Sequence, residues 1–459
     1  MFILPGIVGL VSLIFLRPFE FVESLRGVPF LYVFFTLAVF GYVVDVRLGR
    51  AQLRFAPQWR WVLGFLAWCL LTLAIAQPSQ LPAASFALAI LGFLFFVIAH
   101  GVQTFRAFEL VAAVVLGCAL LISAVCVHQG TQPFTCIAVA QGEERASRGE
   151  SDGRPCKTPD ECLPDSPDPE LQYRCERAGI FDITSIGGGR VRYVGVLQDP
   201  NEAALAVGVA VPIAFGFYER KRSRWRLLLL LATVLLVGMC VLMTESRGGQ
   251  LVVLAVLGAY FIKHYGWRGV AVAAIASAPI LLYGGRSGAE ADSSSTERIE
   301  CWWEGMYMFR THPLFGVGFD RFTDFHYLTA HNSFVLAPAE LGFPGMMLWT
   351  AIVYLSVKIP WSALGRYASW PQAAVARTWA MSLLASWIGM IVGVFFLSFD
   401  YHYVLWIWFG LTGAFYAAVK THDPEFDVRM TLRDFAALGS FNVMLIVVIT
   451  LYTRWKTGG

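Results

Sequence analysis

Leu227-Leu-Leu-Leu-Leu-Ala-Thr-Val-Leu-Leu-Val-Gly-Met-Cys-Val-Leu-Met243 is an apolar run without a charge, bounded by Glu219-Arg-Lys-Arg-Ser-Arg-Trp-Arg226 before it and Thr244-Glu-Ser-Arg-Gly-Gly-Gln250 after it. A helix that crosses the hydrocarbon of a bilayer needs roughly 20 mostly apolar residues. This run, between a basic and a polar end, reads as one such span. Runs of the same kind recur at 2–16, 27–44, 61–76, 83–99, 107–127, 196–217, 250–263, 268–283, 341–358, 378–398, 402–419 and 436–453. With 227–243 they make thirteen spans, or about twelve if the short first one only dips into the bilayer. Of the 459 residues 57% are hydrophobic and only 15% charged, where a soluble protein carries roughly 25% charged residues. The expected fold class is therefore all-α, a polytopic integral membrane protein. Met1–Leu16 lacks a basic start and a small-residue cleavage site, and reads as a first span, not a removed signal peptide. The net charge of +3 is too small to argue for nucleic acid as a partner.

Charge distribution carries more than net charge. Arg47, Arg50, Arg54 and Arg60 share one short loop, and the 219–226 cluster forms a second. Lys263 with Arg268, then Lys358, Arg366 and Arg377, mark two more. Counting spans puts all four on one side, which the positive-inside rule makes the cytoplasm. The long polar segments 128–195 and 284–340 then lie outside. The expected organisation is 1–127 as N-terminal spans, 128–195 as a cysteine-bearing outer loop and 196–283 as central spans. A second outer loop, 284–340, carries the chemistry, and 341–459 forms the C-terminal spans. The last span breaks the charge pattern, because it leaves Arg454 and Lys456 outside.

Four of the nine cysteines, Cys136, Cys156, Cys162 and Cys175, fall in the first outer loop, amid Pro, Asp and Glu with no apolar periodicity. In an oxidising compartment they read as up to two disulfides, with all three pairings open. A zinc site is the weaker reading, because no close Cys pair and no His lie in that stretch. Cys69, Cys118, Cys126, Cys240 and Cys301 read as small apolar fillers.

Polar motifs cluster at the outer ends of spans. Arg190 and Arg192 precede Asp199-Pro-Asn201-Glu202, which reads as a helix start: Asp199 caps, Pro200 takes the first helical position and Glu202 the capping-box position. Such a helix end suits an anion, or it is simply an end. Arg247 sits in Thr244-Glu-Ser-Arg-Gly-Gly-Gln250, where two glycines let backbone approach a ligand and the guanidinium offers a fork for phosphate. Pairing with Glu245 or snorkelling is the competing reading. The second outer loop carries Arg298 and Trp302, four apart and so on one helix face, then Pro313-Leu-Phe-Gly316-Val-Gly318, His331-Asn332-Ser-Phe334 and Glu340-Leu-Gly342. Trp302, Trp303 and Tyr307 read either as platforms for sugar rings or as an interfacial aromatic belt. Glu340 beside the membrane reads as orienting His331, binding an acceptor, or pairing with an arginine.

In this order and placement these motifs resemble the O-antigen ligase and Wzy-type polysaccharide polymerase family, over most of the chain at the level of span layout. The cysteine-bearing loop is not expected of that family. The resemblance implies glycosyl transfer at the periplasmic face of a bacterial inner membrane. The donor would be a glycan on undecaprenyl diphosphate. The acceptor would be a sugar hydroxyl, on lipid A-core for a ligase or on another carrier-linked glycan for a polymerase. It implies no metal, no cofactor and no nucleotide sugar, and the sequence carries no P-loop or His-Glu-x-x-His motif. The expected catalytic residues are His331 as general base, with Arg298 and Arg247 stabilising the leaving diphosphate. Arg190, Arg192, Asn201, Trp302, Asn332 and Glu340 are the expected substrate contacts. His326 is the alternative base and His312 a turn residue. A flippase is the main non-enzyme reading, but span centres nearly free of charge and the absence of an internal repeat weigh against it.

Overall fold

The computed structural model describes residues 1–140, 146–163, 170–266, 268–271, 275 and 289–458. Its helices are α1 (Leu4–Leu16), α2 (Phe30–Arg47), α3 (Trp59–Ala76), α4 (Leu81–Gly101), α5 (Phe105–Thr131), α6 (Pro200–Gly208), α7 (Val211–Arg220), α8 (Arg224–Met243), α9 (Arg247–Tyr265), α10 (Ala289–Thr311), α11 (Ser333–Arg366), α12 (Ala374–Val394), α13 (Tyr403–His422) and α14 (Leu432–Thr457). Among the described residues ten helical segments are long and apolar enough to cross a membrane, and one of them, Pro200–Arg220, is α6 and α7 in tandem. The protein is thus an all-α, multi-pass membrane protein. The count is lower than the sequence suggests for three reasons. α1 is only 13 residues long. α9 forms where 250–263 was expected but is not among the ten. The expected span at 268–283 falls largely outside the described residues. Outward faces are apolar, with Leu228, Leu231 and Leu235 on α8 and Met444, Val448 and Leu451 on α14 at least half exposed, as a lipid-facing surface requires.

The chain forms two compact units: Met1–Ile7, Phe35–Ala112 and Ser287–Gly459 in the first, Val8–Phe34 and Ala113–Arg286 in the second. In the first unit α13 is the inner helix, packed on α4 and α11, and its core holds the buried tryptophans Trp349, Trp379, Trp387, Trp406 and Trp408. One end of this unit carries the expected basic loops. Arg54 bonds Thr421, Arg366 pairs with Asp423, and Lys358 pairs with Asp434 at the start of α14. Arg298, His331 and the 395–402 turn lie at the other end of α11 and α13.

In the second unit the cysteine-bearing segment is more ordered than its composition suggests. Strands β1 (Phe134–Ala140), β2 (Glu150–Pro155) and β3 (Leu171–Arg177) form an antiparallel sheet in the order β2-β1-β3. Disulfides join Cys136 to Cys162 and Cys156 to Cys175, and the four half-cystines form a buried cluster with Phe134 and Tyr173 packed on it. The half-cystines thus supply much of the core beneath this small sheet. Replacing Cys136 or Cys156 by Ser is expected to cost the 134–177 segment about 2–4 kcal/mol, read as earlier proteolysis of this segment, and to leave transfer activity unchanged. Alkylation mass shifts before and after reduction check the pairing, and four free thiols in protein from an oxidising compartment would refute it.

Candidate active site

Pro344 cannot donate to the helix ladder and its ring crowds the carbonyl four residues back, so α11 breaks just before it. Gly342 sits at the break with φ 65° and ψ −173°. The break frees three consecutive carbonyls, and each finds a donor. Ala339 O accepts from Val317 N, Glu340 O from Gly318 N, both at 2.9 Å, and Leu341 O from Trp68 Nε1 at 2.8 Å. Phe343 N donates to Pro313 O at 2.8 Å. The Pro313–Gly318 turn is therefore the hydrogen-bond partner of the broken helix. Both glycines are needed for the fit: a Cβ on Gly316 would lie 2.2 Å from the Glu340 carbonyl carbon, and one on Gly342 2.3 Å from Leu314 O.

Glu340 is 2% exposed and turned into this junction. Its Oε1 accepts from Phe322 N at 2.9 Å, and its Oε2 from Asp320 N at 3.1 Å and Tyr401 OH at 2.9 Å. It makes no ion pair with an arginine among the described residues, so the expected pairing gives way to a carboxylate that holds the 320–322 turn. That is a positioning role. It follows from α11 starting at Ser333, which places Glu340 inside the helical segment instead of just ahead of it.

The turn between α12 and α13 collects the other side chains. Arg298 Nη1 donates to Phe396 O at 2.8 Å. Ser333 Oγ donates to Leu397 O at 2.9 Å and accepts from Phe399 N at 2.8 Å. Thr329 Oγ1 bonds Ser398 Oγ at 2.9 Å. Trp302, one turn beyond Arg298 on α10, meets Phe395 edge-on at 5.6 Å. The i, i+4 pairing expected of Arg298 and Trp302 is thus realised on one face. Residues on both sides of His331 are tied to the same turn as Arg298. Within it Asp400 is fully buried beside Ser333, and burial pushes its carboxyl well above the usual range.

His331 has φ 49°, a left-handed conformation that His tolerates better than most residues. It precedes Asn332, which caps α11 by accepting from Phe334 N at 2.8 Å. Asn332 is buried, and its Nδ2 has no acceptor among the described residues; the same holds for Trp302 Nε1. Two unmet donors around one turn are capacity for a polar ligand. His326 is folded onto its own loop, with Nδ1 3.1 Å from Leu328 O and 3.2 Å from Leu328 N. His312 Nδ1 lies 3.0 Å from Thr311 Oγ1 in an exposed turn. His402 caps α13.

The second unit holds the remaining residues. Asp199 caps α6 and Pro200 opens it, as the sequence indicates, with Asp199 Oδ1 accepting from Asn201 N at 2.7 Å. Arg190 Nε donates to Thr244 O at 3.0 Å, and its Nη2 reaches Asn201 Oδ1 at 3.5 Å. Ser246 caps α9, so Arg247 is its first residue and is exposed. Arg190, Asn201 and the Thr244–Arg247 turn are therefore neighbours. Arg192 points elsewhere. It is 1% exposed and donates to Thr184 O, Thr184 Oγ1 and Ala146 O. Burial, with the Arg174 charge, lowers its pKa to about 10, so it stays charged at neutral pH. Its place as a substrate contact yields to that of a clamp on the cysteine-bearing segment.

The turn at 396–400, Tyr401 and Trp68 were not anticipated. The polar break Ser398-Phe-Asp400-Tyr-His402 between two apolar runs was the available signal. Fold and site define a multi-pass α-helical membrane protein with an arginine and a histidine gathered at one end of a helix bundle. Residues 231–350 match the family model described as O-antigen ligase, so this stretch is similar to that family. That stretch includes Arg247, Arg298, Trp302, His331, Asn332 and Glu340, while Arg190, Arg192 and Asn201 lie before it. No curated protein matches the chain.

Proposed function

We propose that the protein transfers a glycan from undecaprenyl diphosphate to an acceptor sugar hydroxyl at the periplasmic face of the inner membrane, and that the acceptor is lipid A-core. The observation that carries this reading is the common anchoring of Arg298 and of both flanks of His331 to the turn at 396–399. In the reaction the acceptor oxygen bonds to the anomeric carbon, the bond from that carbon to the diphosphate oxygen breaks, and the diphosphate leaves with the electron pair. His331 takes the hydroxyl proton. Arg298 answers the developing negative charge, and Trp302 and Asn332 offer N–H groups to sugar oxygens. Arg190, Asn201 and Arg247 form a separate polar group in their own unit, for which a diphosphate is the fitting ligand. None of these roles calls for a metal or a cofactor.

Purified protein in liposomes, given labelled carrier-linked glycan and lipid A-core, tests the proposal. Covalent transfer to lipid A-core is the expected result. Joining of carrier-linked units alone would make it a polymerase, and movement of glycan across the bilayer without transfer would make it a flippase. Arg298→Ala is expected to lose most transfer while the protein still inserts. Arg298→Lys should recover only part, because an ammonium cannot reach Phe396 O and also present a planar fork. Full activity in Arg298→Ala would remove it from the site.

A further inference from the structure

A cleft of about 910 Å³ opens at the basic end of the first unit, at the far end of α3 and α11 from His331. This is at the upper end of the roughly 300–1,000 Å³ that ligand pockets occupy. Its walls divide by chemistry. Trp61, Leu63, Leu348 and Met430 make an apolar side, and Leu63 is 47% exposed. Arg60 and Arg429 make a cationic side.

The positive charge there is not balanced. Arg60 is the second residue of α3, whose first turn holds no acidic residue and whose N-cap, Gln58, makes no side-chain capping bond. Trp59 N and Val62 N find the carbonyls of Ala56 and Gln58, which leaves the N–H groups of Arg60 and Trp61 without a carbonyl among the described residues. A cation at the positive end of a helix is repelled by it unless an anion lies between them. Arg60 has no ion pair or hydrogen bond among the described residues. Asp427, the one carboxylate of the wall among the described residues, is already taken. It pairs with Arg429, accepts from Tyr416 OH at 3.2 Å and has Lys420 Nζ at 4.0 Å.

We propose that this cleft seats an anionic phospholipid. Its phosphate lies against Arg60, Arg429 and the open N–H groups of α3, and its acyl chain runs along Leu63, Leu348 and Met430. A cationic rim on an apolar wall, in a helical bundle with lipid-facing surfaces, matches an anionic lipid better than a zwitterionic one, whose own cation would meet Arg60. Inorganic phosphate would leave the apolar wall uncovered. The site stands apart from the glycan chemistry, so it holds or fails whatever the acceptor is.

The test uses the full chain in detergent, with the melting midpoint followed while dioleoylphosphatidylglycerol, dioleoylphosphatidylcholine or inorganic phosphate is added. Phosphatidylglycerol is expected to raise the midpoint saturably, and the other two are not. Apparent affinity should fall about five-fold or more in Arg60→Gln and in Arg429→Gln, and much less in Arg60→Lys. The Arg429 side chain is 84% exposed, so its replacement does not threaten folding. Native mass spectrometry of the protein as first extracted should show retained anionic phospholipid, reduced in Arg429→Gln. Equal stabilisation by phosphatidylcholine, equal stabilisation by phosphate, retention of a polyprenyl phosphate instead, or unchanged phosphatidylglycerol affinity in both glutamine variants would each overturn the proposal.

Discussion

His331→Ala is expected to lower glycan transfer by roughly 10²–10⁴-fold, the range that a positioned general base contributes. The expectation rests on placement. Thr329 and Ser333 fix the chain on either side of His331 to the 396–399 turn, where Arg298 is also bound. The chain on both sides of His331 and the Arg298 guanidinium are thus tied to one turn. A histidine also titrates in the range where proton transfer at neutral pH is efficient. The alanine variant alone would be ambiguous, because residue 331 has φ 49° and alanine resists the left-handed region. His331→Asn separates the two effects: asparagine accepts that backbone but cannot take the proton. It should melt like the wild type and transfer as poorly as the alanine variant. His331→Gln should be nearly as inactive. Single-turnover transfer and donor binding, measured on all three in the same membranes, decide the matter. Near-normal transfer in the asparagine variant would end the general-base role. Loss of donor binding alongside transfer would move His331 to the diphosphate side.

The class of the fold was legible because bilayer length and charge asymmetry act on long runs of residues, where single side chains matter little. Helix ends set by local chemistry were legible too. Asp199 and Pro200 open α6 as the sequence indicates, whereas Ser246 opens α9 directly before Arg247, three residues ahead of the expected span. What stayed hidden were contacts made by the main chain. Glu340 looked like a charge waiting for a cation, but backbone N–H groups of Asp320 and Phe322 take its oxygens. No residue type marks those partners in a sequence. Arg192 is the same case in reverse, a cation held by the carbonyls of Thr184 and Ala146. The 396–399 turn was missed for that reason: Ser398 and Asp400 marked a polar break, but the part is played largely by main-chain atoms of apolar residues. The sheet at 134–177 escaped because half-cystines, which carry no apolar period, take the place of its core. Charge and titration belong to the side chain, which is why Arg298 and His331 could be proposed from the sequence at all.

The second large effect belongs to Gly342. Gly342→Ala is expected to cost about 2–5 kcal/mol, combining a left-handed alanine with overpacking. The overlap is with main chain: the added Cβ would lie 2.3 Å from Leu314 O and 2.4 Å from the Leu314 carbonyl carbon, which no rotamer change relieves. To make room, the Pro313–Gly318 segment must part from α11. Ala339 O and Glu340 O, on buried residues, then lose Val317 N and Gly318 N. Glu340 loses its hold on Asp320 and Phe322 next, and the loop that leads to His331 is released from below. Transfer should fall with the folded fraction, and the melting midpoint should drop by several degrees. This differs from the His331→Asn pattern, in which activity goes and the midpoint stays. Gly316→Ala should behave like Gly342→Ala, because its Cβ would strike Glu340 from the other side of the same junction. The double variant should cost clearly less than the sum of the two, since the first parting of the two segments already relieves the second overlap. A Gly342→Ala protein that melts with the wild type and retains full transfer would show that the junction does not support the site.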